Sequence, residues 1–151
     1  MIPESMKKEL GAWNNGNGID LEGWISCEGN FRLAVGYMEI LWPHLVEFDG
    51  YILRDGFQET SLRGFEKQCK GDRRAVEAVM NQLHIEDLHY QGCEDFSSDK
   101  AILLGNTLKE MYEAKLVWQF PNYPCRVSFF EPEDKANLSD YELTFWQVKH
   151  E

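Results

Sequence analysis

Three observations on this 151-residue sequence predict an α+β fold. Apolar residues recur at helical spacing through most of the first two-thirds of the chain, and the period changes to strand-like alternation from Leu116 onward. Between them, Asp49–Gly50 separates two short apolar runs in the way a tight hairpin turn does. The predicted arrangement is helices in the first two-thirds packed against a C-terminal three-stranded antiparallel meander, with an additional short hairpin near residues 45–53.

Taken in order, residues 3–13 form a first helix. Pro3 suits the first helical position, Glu4 complements the positive helix end, and Met6, Leu10 and Trp13 make one stripe. Asn14 to Gly18 stops it, because Asn and Gly accept the left-handed conformation of a helix exit. Asp20 to Ser26 reads as an extended segment or short turn. The stretch from Gly23 to Gly50 holds Trp24, Phe31, Tyr37, Trp42 and Phe48, and Phe31 to Trp42 within it is predicted to be a helix buried over most of its circumference. Asn30 caps it and Pro43 ends it. A strand there would put Arg32 on one face with Met38 and Ile40, so the helix is preferred.

Leu45–Phe48 and Tyr51–Leu53 are the arms of the hairpin. Thr60 to Lys70 follows as a helix with Leu62, Phe65 and Cys69 inward, and Asp72 caps another that turns Ala75, Val76, Val79, Met80 and Leu83 inward. His84 to Ser98 has no clear period, and Gly92 and Ser97–Ser98 favour a loop. Lys100 to Lys115 is a helix with Ala101, Leu104, Leu108, Met111 and Tyr112 on its stripe. Gly105 lies in that stripe, where a missing side chain lets another element approach closely. Leu116–Phe120, Cys125–Phe130 and Tyr141–Val148 are the three predicted strands, with Pro121 to Pro124 as a turn and Glu131 to Asp140 as a polar loop.

The length suits one globular domain over residues 1–151, and 43% hydrophobic content fills its core. No run approaches the ~20 apolar residues of a membrane span. The N-terminal segment lacks the pattern of a secretory signal, so a cytoplasmic protein is expected. Four separated cysteines without a CxxC pair are expected as free thiols. The net charge of −11 repels phosphate backbones and disfavours nucleic acid as the main partner. The charge is also uneven: neither Leu33–Leu53 nor Ala75–Asp99 contains a Lys or Arg.

Each candidate site has a bland reading beside it. Cys27, just before the predicted helix at Phe31, is a candidate nucleophile, although Glu28 opposes a thiolate and no cysteine-enzyme motif surrounds it. His84, His89 and Cys93 have metal-ligand chemistry, but their spacing matches no zinc pattern, and surface or capping roles are commoner. Arg63, Lys67, Lys70, Arg73 and Arg74 form a basic cluster able to bind an anion, or equally to pair with the chain's own carboxylates. Trp146 is an interaction anchor if its strand face is open to solvent. Phosphate-loop, dinucleotide, serine-hydrolase and zinc-protease motifs are absent, so no cofactor is expected.

The resulting expectation is a small acidic binding module that engages a basic protein, with Glu86, Asp87, Glu94 and Asp95 steering it. In its small, acidic and aromatic-rich make-up the chain resembles bacterial immunity proteins that neutralise basic toxins, a likeness of composition that covers no motif. The alternative is a small enzyme or a ligand- or metal-binding protein using Cys27 or the His84/His89/Cys93 group. A homodimer through the edge strand Tyr141–Val148 is compatible with the pattern.

Overall fold

The computed structural model describes residues 2–89 and 93–151. Its elements run α1 (Glu4–Gly16), α2 (Leu21–Glu28), α3 (Phe31–Leu41), β1 (Leu45–Phe48), β2 (Tyr51–Arg54), α4 (Glu59–Gln68), α5 (Arg73–Met80), β3 (Leu83–His84), a 3-10 turn (Ile85–Leu88), α6 (Ser98–Gln119), β4 (Cys125–Phe130) and β5 (Glu142–Gln147). The class is α+β, as expected. Helices occupy most of the first two-thirds, β1 and β2 form a hairpin, and a three-stranded antiparallel sheet has the order β3-β5-β4. None of the described helices is long and apolar enough to cross a membrane.

Local chemistry accounts for the element ends. Trp13 leaves the helical region and Asn14 and Asn15 take positive φ of 52° and 56°, so α1 breaks where the Asn/Gly run predicts. Asp49 and Gly50, at φ 50° and 78°, make the hairpin turn and hold Leu45 opposite Arg54 and Phe48 opposite Tyr51. Asn30 and Asp72 cap α3 and α5 by accepting from Leu33 N and Ala75 N.

Helix α6 is the centre of the molecule. It packs on β4 and β5 and receives α1 and α3. Leu108, Tyr112 and Leu116 of α6 join Val127, Tyr141, Leu143 and Phe145 in the larger core, while Tyr51, Leu53, Leu62 and Val76 form a second core under the hairpin. Gly105 provides the close approach its position predicts: a Cβ there would lie 2.1 Å from the Phe129 ring of β4. The two cores are joined by polar side chains. Buried Glu77 accepts from Ile52 N, Gln147 N and Gln147 Nε2, each at 2.7 Å, and buried Asn81 donates to Ile52 O at 2.8 Å.

Several elements differ from the expectation. Leu21–Glu28 is a helix, not an extended segment, because Asp20 caps it through Gly23 N at 2.7 Å. Leu116–Gln119 continues α6, since Leu116 at 2% exposure stays on the inward stripe of that helix, and Leu83–His84 supplies the third strand instead. The loop signal at Gly92 lies outside the described residues. The largest difference concerns α3, a helix as predicted but not a buried one: Phe31 is 91% exposed, Val35 66% and Met38 64%. Only one side of it packs, with the Tyr112 hydroxyl donating to Ile40 O at 3.0 Å at its C-terminal end.

Candidate functional site

The half-packed α3 forms one wall of a cleft of about 1120 Å³. The other walls come from α1, α2, the 3-10 turn, the loop before α6 and α6 itself, through residues such as Met6, Trp24, Leu88, Phe96, Leu104 and Leu108. The walls are apolar because α2 and α3 turn Leu21, Trp24, Ile25, Leu33, Tyr37, Ile40 and Leu41 toward the gap. A smaller depression of about 440 Å³ between α6 and β4 is lined mainly by polar and charged groups, among them Asn106, Lys109, Glu113 and Arg126. The larger cleft has the apolar walls and few convergent polar groups of a binding site.

Tyr37, Glu86, His89, Cys93 and Asp95 come from the two stretches without basic residues, whereas Glu9, Glu28 and Lys100 come from elsewhere in the chain. Tyr37 hydrogen-bonds His89 Nε2 through its hydroxyl, with the two rings edge to face at 5.6 Å. Burial, followed by the nearby Asp95 and Cys93, raises the Tyr37 pKa, so the hydroxyl keeps its proton and can donate to the imidazole. Cys93 Sγ donates to Asp95 Oδ1 at 3.0 Å. That bond raises the thiol pKa and lowers that of the carboxyl, which makes Cys93 a poor nucleophile and keeps Asp95 ionised. Lys100, the one cation among the lining residues, donates to the Asp95 carbonyl at 2.5 Å, against four lining carboxylates, Glu9, Glu28, Glu86 and Asp95. The indole N–H of Trp24, another lining residue, is buried without a hydrogen-bond partner among the described residues. Leaving such a donor unpaired costs about 1–3 kcal/mol.

Comparison of the chain with family models, with curated proteins and with solved structures finds no match. The site is therefore read from its geometry alone.

The sequence candidates fall into three groups. Glu86, His89, Cys93 and Asp95 line the cleft, and Asp87 and Glu94 are exposed nearby in the chain. Other candidates are committed elsewhere. Cys27 lies in the last turn of α2, the helix end that carries negative partial charge, and it does not line the cleft, so it lacks the helix N-terminus on which its candidacy as a nucleophile rested. His84 Nδ1 donates to Ser139 O at 3.0 Å, and the described residues hold no group of three His, Cys, Asp or Glu placed to bind a metal. Trp146 is 7% exposed, with Arg74 4.7 Å above its ring and its indole N–H donated to Glu151 at 2.9 Å, so its strand face is covered and it cannot anchor a partner.

Arg63 and Arg73 meet at Asp49, and both are engaged within the chain. Arg63 bridges Asp49, Glu59 and Glu66 at 2.5, 3.0 and 3.2 Å, and these bonds raise its pKa further. Arg73 stacks 3.8 Å above Tyr51 and donates to Asp49 O, whereas Lys67 and Lys70 are exposed. Sequence reasoning missed the apolar walls, Leu88, Phe96 and Leu104 above all, because their composition reads as ordinary core. The one available signal was the number of apolar residues on α3, more than one packed face of a short helix needs.

Proposed function

We propose that the protein is an acidic, cytoplasmic protein-binding module of the inhibitor or immunity type, which holds a basic partner by an amphipathic segment seated in the cleft. The observation that carries this reading is a convergence. The two stretches that lack Lys and Arg, distant in sequence, wall the same apolar cleft, one through Leu33, Tyr37 and Ile40 and the other through Glu86, Leu88 and Asp95. Apolar walls give affinity to a segment's hydrophobic side chains, and a carboxylate rim speeds and orients the approach of its cations. The size of the cleft agrees: about 1120 Å³ exceeds the roughly 300–1,000 Å³ of small-molecule pockets and suits several side chains of a peptide.

A displayed library of random peptides, selected on the purified protein, tests the proposal. The enriched peptides are expected to combine two or three large apolar residues with Lys or Arg. Their association rates should fall about tenfold or more in high salt and in the Glu86→Lys, Asp95→Lys double variant. Enrichment without basic bias, or binding indifferent to those substitutions and to Leu104→Asp, would overturn it. Stoichiometric uptake of a small apolar ligand with no peptide enriched would move the cleft to a ligand-binding role, with Tyr37 and His89 as its polar contacts.

A further inference from the structure

Outside the cleft, α3 carries a second apolar feature that the described residues leave largely exposed. Phe31, Val35 and Met38 follow one another at spacings of four and three residues, which places them on one narrow stripe of α3, and Trp42, the residue that caps the helix at its C-terminal end, comes four residues later. Their exposures are 91%, 66%, 64% and 41%. Phe31 also stands at the mouth of the cleft, but the other three are not among its lining residues. At the C-terminal end the stripe continues onto α6, where Trp118, 70% exposed, lies 6.2 Å from Trp42. Monomeric surfaces scatter such residues singly; a contiguous aromatic and aliphatic row marks an interface.

We propose that this stripe pairs with the same stripe of a second copy of the chain, the two α3 helices running antiparallel about a two-fold axis between Gly36 and Tyr37. The pattern is symmetric about that point. Position 31 falls opposite 42 of the partner helix and 35 opposite 38, so Phe31 packs on Trp42 and Val35 on Met38, in four layers of alternating knobs and holes. A two-fold interface requires this self-complementarity, in which each residue's contact is returned by symmetry.

The charges agree with the same register. Arg32 and Glu39 are the only charged residues of α3, are both exposed, lie on one flank of the stripe seven residues apart, and form no ion pair among the described residues. About the proposed axis, Arg32 of one copy stands two residues, about 3 Å, from Glu39 of the other along the helix axis, which the long side chain spans. Symmetry makes two such pairs. A parallel pairing in register sets Arg32 against Arg32 and loses both.

The area is sufficient for specific pairing. The four stripe residues and Trp118, about two-thirds exposed on average, offer on the order of 600 Å² per copy at roughly 150–250 Å² per large side chain. The total of about 1,200 Å² is at the lower end of specific interfaces, so the dimer is expected to dissociate on dilution. The stripe shares only Phe31 with the cleft, and the cleft variants above leave the stripe itself intact.

Sedimentation equilibrium over a concentration series reads it. The protein is expected to pass from monomer to dimer with rising concentration, and Val35→Glu and Met38→Glu, each at a position already solvated, should remain monomeric with unchanged circular dichroism. Arg32→Glu and Glu39→Arg should each weaken the dimer several-fold, and the double swap R32E/E39R should restore it. A monomer at every concentration would overturn the proposal. So would a dimer that survives Val35→Glu, or a charge swap that fails to rescue.

Discussion

At the scale of single residues, Gly105 and Glu77 illustrate two ways a position becomes indispensable. Gly105 is fixed by what is missing. A methyl group at its Cβ would sit 2.1 Å from the Phe129 ring, well inside van der Waals contact. Overpacking costs about 1–3 kcal/mol and alanine's better helix propensity returns about 1, so Gly105→Ala should destabilise the protein by up to about 2 kcal/mol. Urea unfolding checks this, and Phe129→Leu introduced together with it should recover part of the loss. Glu77 is fixed by what it holds. Its carboxylate receives two backbone N–H groups, of Ile52 and Gln147, that would otherwise be buried and unpaired. Gly105 was legible in the sequence, as a glycine on a strongly apolar stripe. Glu77 was not, because its partners arrive from 25 residues before it and 70 after it, and a lone Glu on a helix reads as solvated.

At the scale of elements, α1 depends on α6 for its position. Asp99 accepts from Ser5 N at 2.8 Å, from Ser5 Oγ at 3.1 Å and from Ser97 Oγ at 2.5 Å, and these donors hold its carboxyl well below the usual range. Asp99→Ala should release the first turns of α1, seen as faster amide exchange over residues 4–10 while β4 and β5 stay protected. Since α1 forms part of the cleft wall, peptide binding should weaken with it. Most elements could be read from period and caps, and the exceptions have specific causes. The helix Leu21–Glu28 is short and contains Gly23 and Ile25, so its local composition does not read as helical. At Leu116–Phe120, Val117, Trp118 and Phe120 favour a strand by composition, whereas the buried Tyr112 and Leu116, four residues apart, continue the helix. Trp146 was read as an anchor on the assumption that one face of the sheet is open. In fact α5 covers that side, with Thr144 Oγ1 donating to Ala78 O at 2.5 Å. The burial of α3 was misread for a different reason: sequence alone does not distinguish an apolar face that packs within the chain from one left free.

At the scale of the whole molecule, stability should fall in two stages on acidification. His150 is enclosed near Tyr51, with Nε2 3.7 Å from Glu77 and with Arg73 and Lys149 among its charged neighbours, and burial lowers its pKa below the ordinary 6.5. The folded state therefore binds a proton less readily than the unfolded chain. Its contribution is complete above pH 6.5 and is lost as pH falls below that value. A second loss follows at lower pH. The Arg126 and Trp146 bonds to Glu151 bring its carboxyl down to about 2, and Asp99 is likewise lowered, so both stabilise above the ordinary carboxylate range and lose that as they protonate. Urea midpoints measured against pH should show both stages, and His150→Gln should remove the first alone. The Glu77 network has a further consequence during synthesis. Until Gln147 leaves the ribosome, the hairpin and α5 share a buried carboxylate lacking the partners that join the two cores. A nascent chain emerged only as far as α6 can form its helices but cannot close its interior. Folding is thus deferred until the last strand emerges, and the exposed apolar α3 must stay soluble through that delay.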